Sequence, residues 1–291
     1  MLEKRYANWI TTSHIDTLAG AGIDLLRIPT TYAAWIEVPG SRLYRGNQTL
    51  HLEKIANYAI EKYNMHIVLD THSLPGGTNG LDIGEASGHT SWWHNATNLA
   101  YSYATIDAVL SFIQSSAYPY AYTLEPINEP GDTYPDYSMI GTPAMLSESA
   151  SLYLVAYFQG VIDRAAAVNP SIPIMLQGGF KSVTYWAQFF APTANIVFDA
   201  HQYFFGGYAA DSDTVSVDLC SAAASNAGNG VFPAFLGEWS IETVSNNLLA
   251  NRAKNVQACL WAARKFLQGG AYWSARFEGT TAVDGEGPQR A

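Results

Sequence analysis

Seven short apolar runs, each closing on polar, glycine or proline residues, constrain this chain more than any other feature. They are residues 23–29 (IDLLRIP), 66–72 (HIVLDTH), 122–130 (YTLEPINEP), 172–179 (IPIMLQGG), 196–203 (IVFDAHQY), 233–240 (PAFLGEWS) and 270–276 (GAYWSAR). Their apolar residues are nearly continuous rather than alternating with polar ones, the mark of strands covered on both faces as in parallel sheets. The intervals carry helical spacing instead: residues 6–20, then Leu50, Ile55, Tyr58 and Ala59, then 153–168 and 247–267. Repeated strand and helix of this kind predicts an α/β fold, and its commonest closed form at 291 residues is the (β/α)8 barrel in one domain over 1–291. Eight strands close such a barrel, so the seven runs predict that the first strand lies upstream of Met1 and the last helix downstream of Ala291.

Chemistry-bearing side chains gather where the runs end: Arg27, Asp70 and His72, Asn128 and Glu129, His201 and Tyr203, Glu238, and Trp273. In a parallel barrel all those ends open on one face. Two acids stand out, Glu129 in Asn128-Glu129-Pro130 and Glu238 in Gly237-Glu238-Trp239. Proline at 130 is read as ending its strand and turning the preceding side chains outward. A pair of carboxyls, one protonated to donate to a leaving oxygen and one ionised to attack, is what glycosidic cleavage asks for.

Composition narrows the partners. Acidic residues outnumber basic ones 25 to 15, giving a net charge of −10, and no basic run exceeds two residues, which argues against nucleic acid and anionic membranes as partners. No apolar stretch approaches the ~18 residues of a membrane span, and the opening MLEKRYANWITTSH lacks the apolar core of a secretory signal. Cys220 and Cys259 have no zinc spacing, and the residues leave open whether they pair or stay free. Sequons at Asn47 and Asn95 hint at secretion. Gly76-Gly77 and Gly206-Gly207 lack the flanking pattern of phosphate loops, and there is no GxSxG elbow. Trp92-Trp93-His94 reads equally as an aromatic rim or a packed anchor, residues 203–205 mix a site tyrosine with core aromatics, and His14, His51 and His66 read as surface or core histidines.

Arg27-Ile28-Pro29, Asp70-Thr71-His72, Asn128-Glu129-Pro130, His201-Gln202-Tyr203, Gly237-Glu238-Trp239 and Tyr272-Trp273, in this order, resemble the family 5 glycoside hydrolases. Within them the chain is most similar to the fungal exo-β-1,3-glucanases and the related rutinosidases, over about residues 6–278. The resemblance implies a retaining β-glycosidase with Glu129 as general acid/base and Glu238 as nucleophile. It assigns Arg27 to holding the nucleophile ionised, Asn128 to the sugar 2-hydroxyl, His72 and His201 to substrate hydroxyls or the acid, Tyr203 to the nucleophile, and Trp273 to stacking under the reacting sugar. It implies no metal and no cofactor, a β-glucoside or β-glucan as substrate, exo action on β-1,3-glucan-type chains, a monomer, and an extracellular or cell-wall location.

The sequence also departs from that pattern. Ser274-Ala275-Arg276 stands where the glucanases carry a second Trp and a Lys, and the acid that binds the terminal glucose in those enzymes is expected on the first strand, upstream of Met1. The loop at 73–85 is rich in glycine and resembles the rutinosidase branch, which takes a disaccharide. Two other classes stay open: Mg²⁺-supported enolate chemistry on Asp70, Glu129 and Asp199 or Glu238, and a sugar-binding barrel without turnover.

Overall fold

The computed structural model describes residues 1–204 and 210–276. Phe205, Gly206-Gly207 and the end of the family resemblance at Glu278 lie outside them. Helices and strands follow one another as α1 (Leu2–Asn8), α2 (Thr12–Gly20), β1 (Leu25–Thr31), α3 (Gln48–Tyr63), β2 (His66–Ser73), α4 (Ala96–Ser115), β3 (Tyr122–Glu125) and α5 (Glu148–Val168). They continue as β4 (Ile174–Gln177), α6 (Val183–Ala187), β5 (Ile196–Phe204), α7 (Val215–Asn226), β6 (Ala234–Thr243), α8 (Arg252–Phe266) and β7 (Gly270–Tyr272). The chain divides into two compact units, Met1–Gly179 with Thr193–Ile196, and Phe180–Pro192 with the residues from Val197 onward.

In the first unit β1, β2, β3 and β4 pair in that order, all parallel. Every residue of β3 and of β4 is buried, which is why those runs show no polar alternation. The helices begin where side chains satisfy their first N–H groups: Asn95 accepts from Thr97 and Asn98 at the start of α4, and Ser147 accepts from Ala150 at the start of α5. Asn64, with φ 54°, ends α3 in the left-handed conformation that asparagine tolerates.

The structure corrects three sequence expectations here. Residues 6–20 form two helices, because Thr11 is extended and its N–H donates to His14 Nδ1 at 3.1 Å, starting α2 afresh. Histidine is not the acid that signals such a box in sequence. Leu50 is 60% exposed, since α3 buries Ala56, Ala59 and Ile60, and a residue six places earlier sits about 240° around the helix. Finally, β3 stops at Glu125 because Pro126 has no N–H to give the ladder, so Asn128, Glu129 and Pro130 lie in the following loop.

The second unit pairs β5 with β6 and β6 with β7, again parallel. Helix α8 buries Asn255, Cys259, Ala262 and Ala263. Both cysteines are free, and burial pushes the Cys259 thiol up to about 12. Among the described residues no helix is long and apolar enough to cross a membrane.

Candidate active site

The strand register of the first unit determines which side chains meet. Arg27 pairs with Val68 and Asp70 pairs with Glu125, while Val68, Asp70 and His72 alternate along β2. With a period of two, Arg27, Asp70, His72 and Glu125 therefore share one face. The Arg27 guanidinium grips Glu125 at two points, Nε to Oε2 at 2.6 Å and Nη2 to Oε1 at 2.9 Å. Nη2 also lies 3.1 Å from Asp70 Oδ2 and donates to Asn128 Oδ1 at 2.9 Å. The three charged side chains are almost wholly shut from water, so each charge depends on the others for compensation.

Arg27 thereby fixes the amide of Asn128. With Oδ1 accepting from Arg27, Nδ2 is the atom turned toward His72 Nε2 at 3.3 Å. His72 Nδ1 sits 2.6 Å from Asp70 Oδ2, an acceptor, which places the ring proton on Nδ1 and leaves Nε2 to accept. The chain from Asp70 through His72 and Asn128 to Arg27 is consistent in donor and acceptor at every link.

Glu129 is the next residue, 8% exposed, and its backbone has φ 40°. Such a conformation costs a non-glycine residue about 1–3 kcal/mol and persists where the surroundings hold it. Here they do. Asn79 Nδ2 donates to the Glu129 carbonyl at 3.0 Å, and the Gly131 N–H donates to the Thr78 carbonyl at 3.0 Å. The Trp93 indole N–H is shared between the Thr78 and Gly131 carbonyls, at 3.0 Å each, and the Tyr157 hydroxyl donates to the Pro126 carbonyl at 2.9 Å.

Trp93 is seated by Trp92, whose ring meets those of Trp93, Tyr153 and Tyr157 edge-on at 4.8–5.3 Å. Trp92 is fully buried and is a packed anchor, while Trp93 is half-buried with its indole N–H taken by backbone carbonyls. Gly76 and Gly77 likewise serve the loop: both have positive φ, and a Cβ on Gly77 would lie 2.1 Å from the His89 carbonyl. Of the remaining histidines, His14 caps α2, His51 lies 3.9 Å from Glu3, and His66 bonds Thr123.

The second unit carries the other acid. Asp199, His201 and Tyr203 alternate along β5, and His201 is in register with Glu238 on β6. Asp199 uses both oxygens: Oδ1 accepts from the Gly237 N–H at 2.6 Å, and Oδ2 lies 2.9 Å from His201 Nε2. His201 Nδ1 faces Glu238 Oε2 at 3.7 Å, and the Tyr203 hydroxyl donates to that same oxygen at 2.7 Å. A Cβ at Gly237 would lie 2.2 Å from Asp199 Oδ1, so only glycine lets the aspartate reach the backbone beside Glu238. Trp273 follows β7, half-buried, with its N–H on the Trp239 carbonyl at 2.9 Å.

The structure thus brings Arg27, His72 and Asn128 into one bonded group, with Glu129 adjoining Asn128 in the chain. It brings His201, Tyr203 and Glu238 into another, with Trp273 tethered to β6. Sequence reasoning missed Glu125 and gave Asn79 no role. Glu125 had a usable signal, since a lone carboxylate inside an apolar run must find a cation. Asn79 had none beyond its place in a glycine-rich loop.

Comparison with known proteins identifies the family. The family model for cellulase, glycosyl hydrolase family 5, matches residues 3–279. A probable glucan 1,3-beta-glucosidase A from Aspergillus niger is 26% identical over 249 residues, covering 82% of this chain and 54% of its own. The chain thus spans about half the length of the curated relatives it matches. The crystal structure of rutinosidase from Aspergillus niger is 49% identical and aligns over 98% of this chain and 80% of its own, with a TM-score of 0.95. The crystal structure of AoRut is 53% identical over 98% of this chain and 79% of its own, with a TM-score of 0.94. The α/β barrel class expected from the seven runs is the fold of these structures. With the family model matched over nearly its whole length and half its residues shared with a solved rutinosidase, the chain belongs to glycosyl hydrolase family 5.

Proposed function

We propose that this protein is a retaining β-glycosidase, with Glu238 as nucleophile and Glu129 as general acid/base, acting as one catalytic domain on β-linked glucose. The observation that carries the reading is the Tyr203 hydroxyl, which donates to Glu238 Oε2 at 2.7 Å. It fixes the carboxylate that attacks an anomeric carbon. As the bond from that carbon to Glu238 forms, the bond to the leaving oxygen breaks and takes the proton of Glu129. Water then attacks the same carbon and gives its proton to Glu129 while the bond from the carbon to Glu238 breaks, which frees the sugar and restores both carboxyls. Asn128, oriented by Arg27, has a second N–H to offer the sugar 2-hydroxyl, a contact that strengthens in an oxocarbenium-like transition state. His72 and His201 supply further polar contacts to substrate, and Trp273 a face for the reacting ring.

Two substrate readings differ in what occupies the glycone site. Identity of 49% to the rutinosidase from Aspergillus niger, against 26% to the glucan 1,3-beta-glucosidase, favours a diglycosidase that releases a disaccharide over an exo-β-1,3-glucanase. The glycine-rich loop at 73–85 supports the same choice. A monomer with a carbohydrate as its partner, no nucleic acid and no membrane, fits the acidic composition, and the sequons at Asn47 and Asn95 fit an extracellular location.

The test is the intact mass after incubation with 2-deoxy-2-fluoro-β-glucosyl fluoride and, separately, the corresponding rutinosyl fluoride, followed by peptide mapping. A mass gain on Glu238 with the rutinosyl reagent alone supports the diglycosidase. A gain with the glucosyl reagent alone supports the exo-glucanase. Labelling at any other residue, or none from either reagent, would overturn the assignment of Glu238.

A further inference from the structure

Asn79 has so far appeared only as one of several backbone supports, yet its side chain ends on the main chain of the acid itself. It lies in the glycine-rich loop after β2, is 2% exposed, and its Nδ2 donates to the Glu129 carbonyl at 3.0 Å. Its Oδ1 accepts from the Leu81 N–H at 2.9 Å, so both ends of the amide are engaged and its orientation is fixed. The loop is shaped around it: a Cβ on Gly84 would lie 2.2 Å from Asn79 Oδ1, which only glycine avoids. The residue before it, Thr78, takes the Gly131 N–H on its carbonyl. The loop thus grips the chain on both sides of Pro130, and the residue gripped first is the one with φ 40°.

We propose that Asn79 is a positioning residue for general acid catalysis, holding the Glu129 peptide in its left-handed conformation so that the carboxyl meets the leaving-group oxygen. The proposal rests on the reading of Glu129 as the acid. Asn79 touches neither substrate nor the transferred proton. It acts through the backbone of the residue that donates, and without it the peptide relaxes toward negative φ and the carboxyl swings away.

Loss of the acid has a signature that loss of folded protein lacks. A leaving group that departs readily as an anion needs no proton, whereas a poor one does. The experiment measures kcat/KM, which reports the bond-breaking step, for phenyl and 2,4-dinitrophenyl β-rutinosides and β-glucosides, with sites counted by the burst of the dinitrophenyl substrate. Asn79→Ala should lower kcat/KM for the phenyl glycoside by about 10- to 100-fold and for the dinitrophenyl glycoside by less than about threefold. Asn79→Asp, which keeps the acceptor for Leu81 but has no N–H for the Glu129 carbonyl, should show the same split and guards against an alanine variant that fails to fold. Equal losses on both substrates, while Glu129→Ala shows a steep dependence on leaving group, overturn the role of Asn79 and leave that of Glu129 standing. A flat dependence in Glu129→Ala overturns both.

Discussion

Arg27 sets what its neighbours can do, and it is held by a residue that touches no reactive atom. Glu125 binds both Nε and Nη2, leaving the rest of Nη2 for Asp70 and Asn128. Without Glu125 the guanidinium would keep its charge, turn on its stem and carry the Asn128 amide with it. Glu125→Ala also strips a buried cation of its bidentate partner, a change worth about 3–5 kcal/mol. We expect a fall of that size in the free energy of unfolding by urea, with a smaller loss for Glu125→Gln, which still offers one acceptor. A loss below about 1 kcal/mol for the alanine variant would show that the other partners of Arg27 suffice. At this scale Glu129, Glu238 and His201 could be picked out because an acid or a histidine stands out within an apolar run, although the structure places Glu129 in the loop after β3 and the other two inside β6 and β5. Asn79 was not legible, because an asparagine beside glycine reads first as a turn residue. Its partner, a backbone carbonyl fifty positions away, leaves no mark in the sequence.

Strands were easier to read than helices in this chain, for a physical reason. A strand buried on both faces is apolar throughout and stands out at any phase, whereas a helix shows only a stripe, as the misplaced Leu50 illustrates. The break at Thr11 was lost because the side chain that accepts from its N–H belongs to a histidine, and the end of β3 because two prolines, Pro126 and Pro130, compete for the role. One strand residue carries a pH consequence. His66 opens β2, and its Nε2 lies 2.9 Å from the Thr123 hydroxyl of β3. Burial lowers its pKa below the ordinary 6.5, so the unfolded chain takes up the proton first. Its contribution to stability is therefore complete above the unfolded pKa of 6.5 and is lost as pH falls from there toward the lower folded value. His66→Gln should flatten that part of the profile. Unfolding free energies at about pH 7.5 and about pH 5.5 check this, the parent losing more between them than the variant; parallel profiles would remove His66 as the cause.

For the whole molecule the informative quantity is charge set against the neutral glycoside proposed as substrate. The chain carries −10, enough to generate a field that attracts cations and repels anions over distances of about 30 Å in dilute salt and about 3 Å in molar salt. An enzyme whose substrate is charged cannot be indifferent to that change, because its encounter rate rises or falls as the field is screened. A neutral glycoside has no monopole for the field to act on. The polar groups that would receive it, Asn128, His72 and Tyr203, are held by short internal bonds within largely buried networks that salt screens far less than exposed pairs. We therefore expect kcat/KM for a neutral aryl glycoside to stay within about twofold between roughly 0.01 M and 0.5 M sodium chloride, despite the net charge. The informative comparison uses the same glycone on an aryl group bearing a carboxylate, for which kcat/KM should rise with salt as repulsion from the acidic surface is screened. A strong salt dependence for the neutral substrate would mean that an exposed ion pair controls access or geometry at the site. Such a pair would then have to be sought among surface contacts such as Arg164 with Asp107 or Lys62 with Asp16, which salt does weaken.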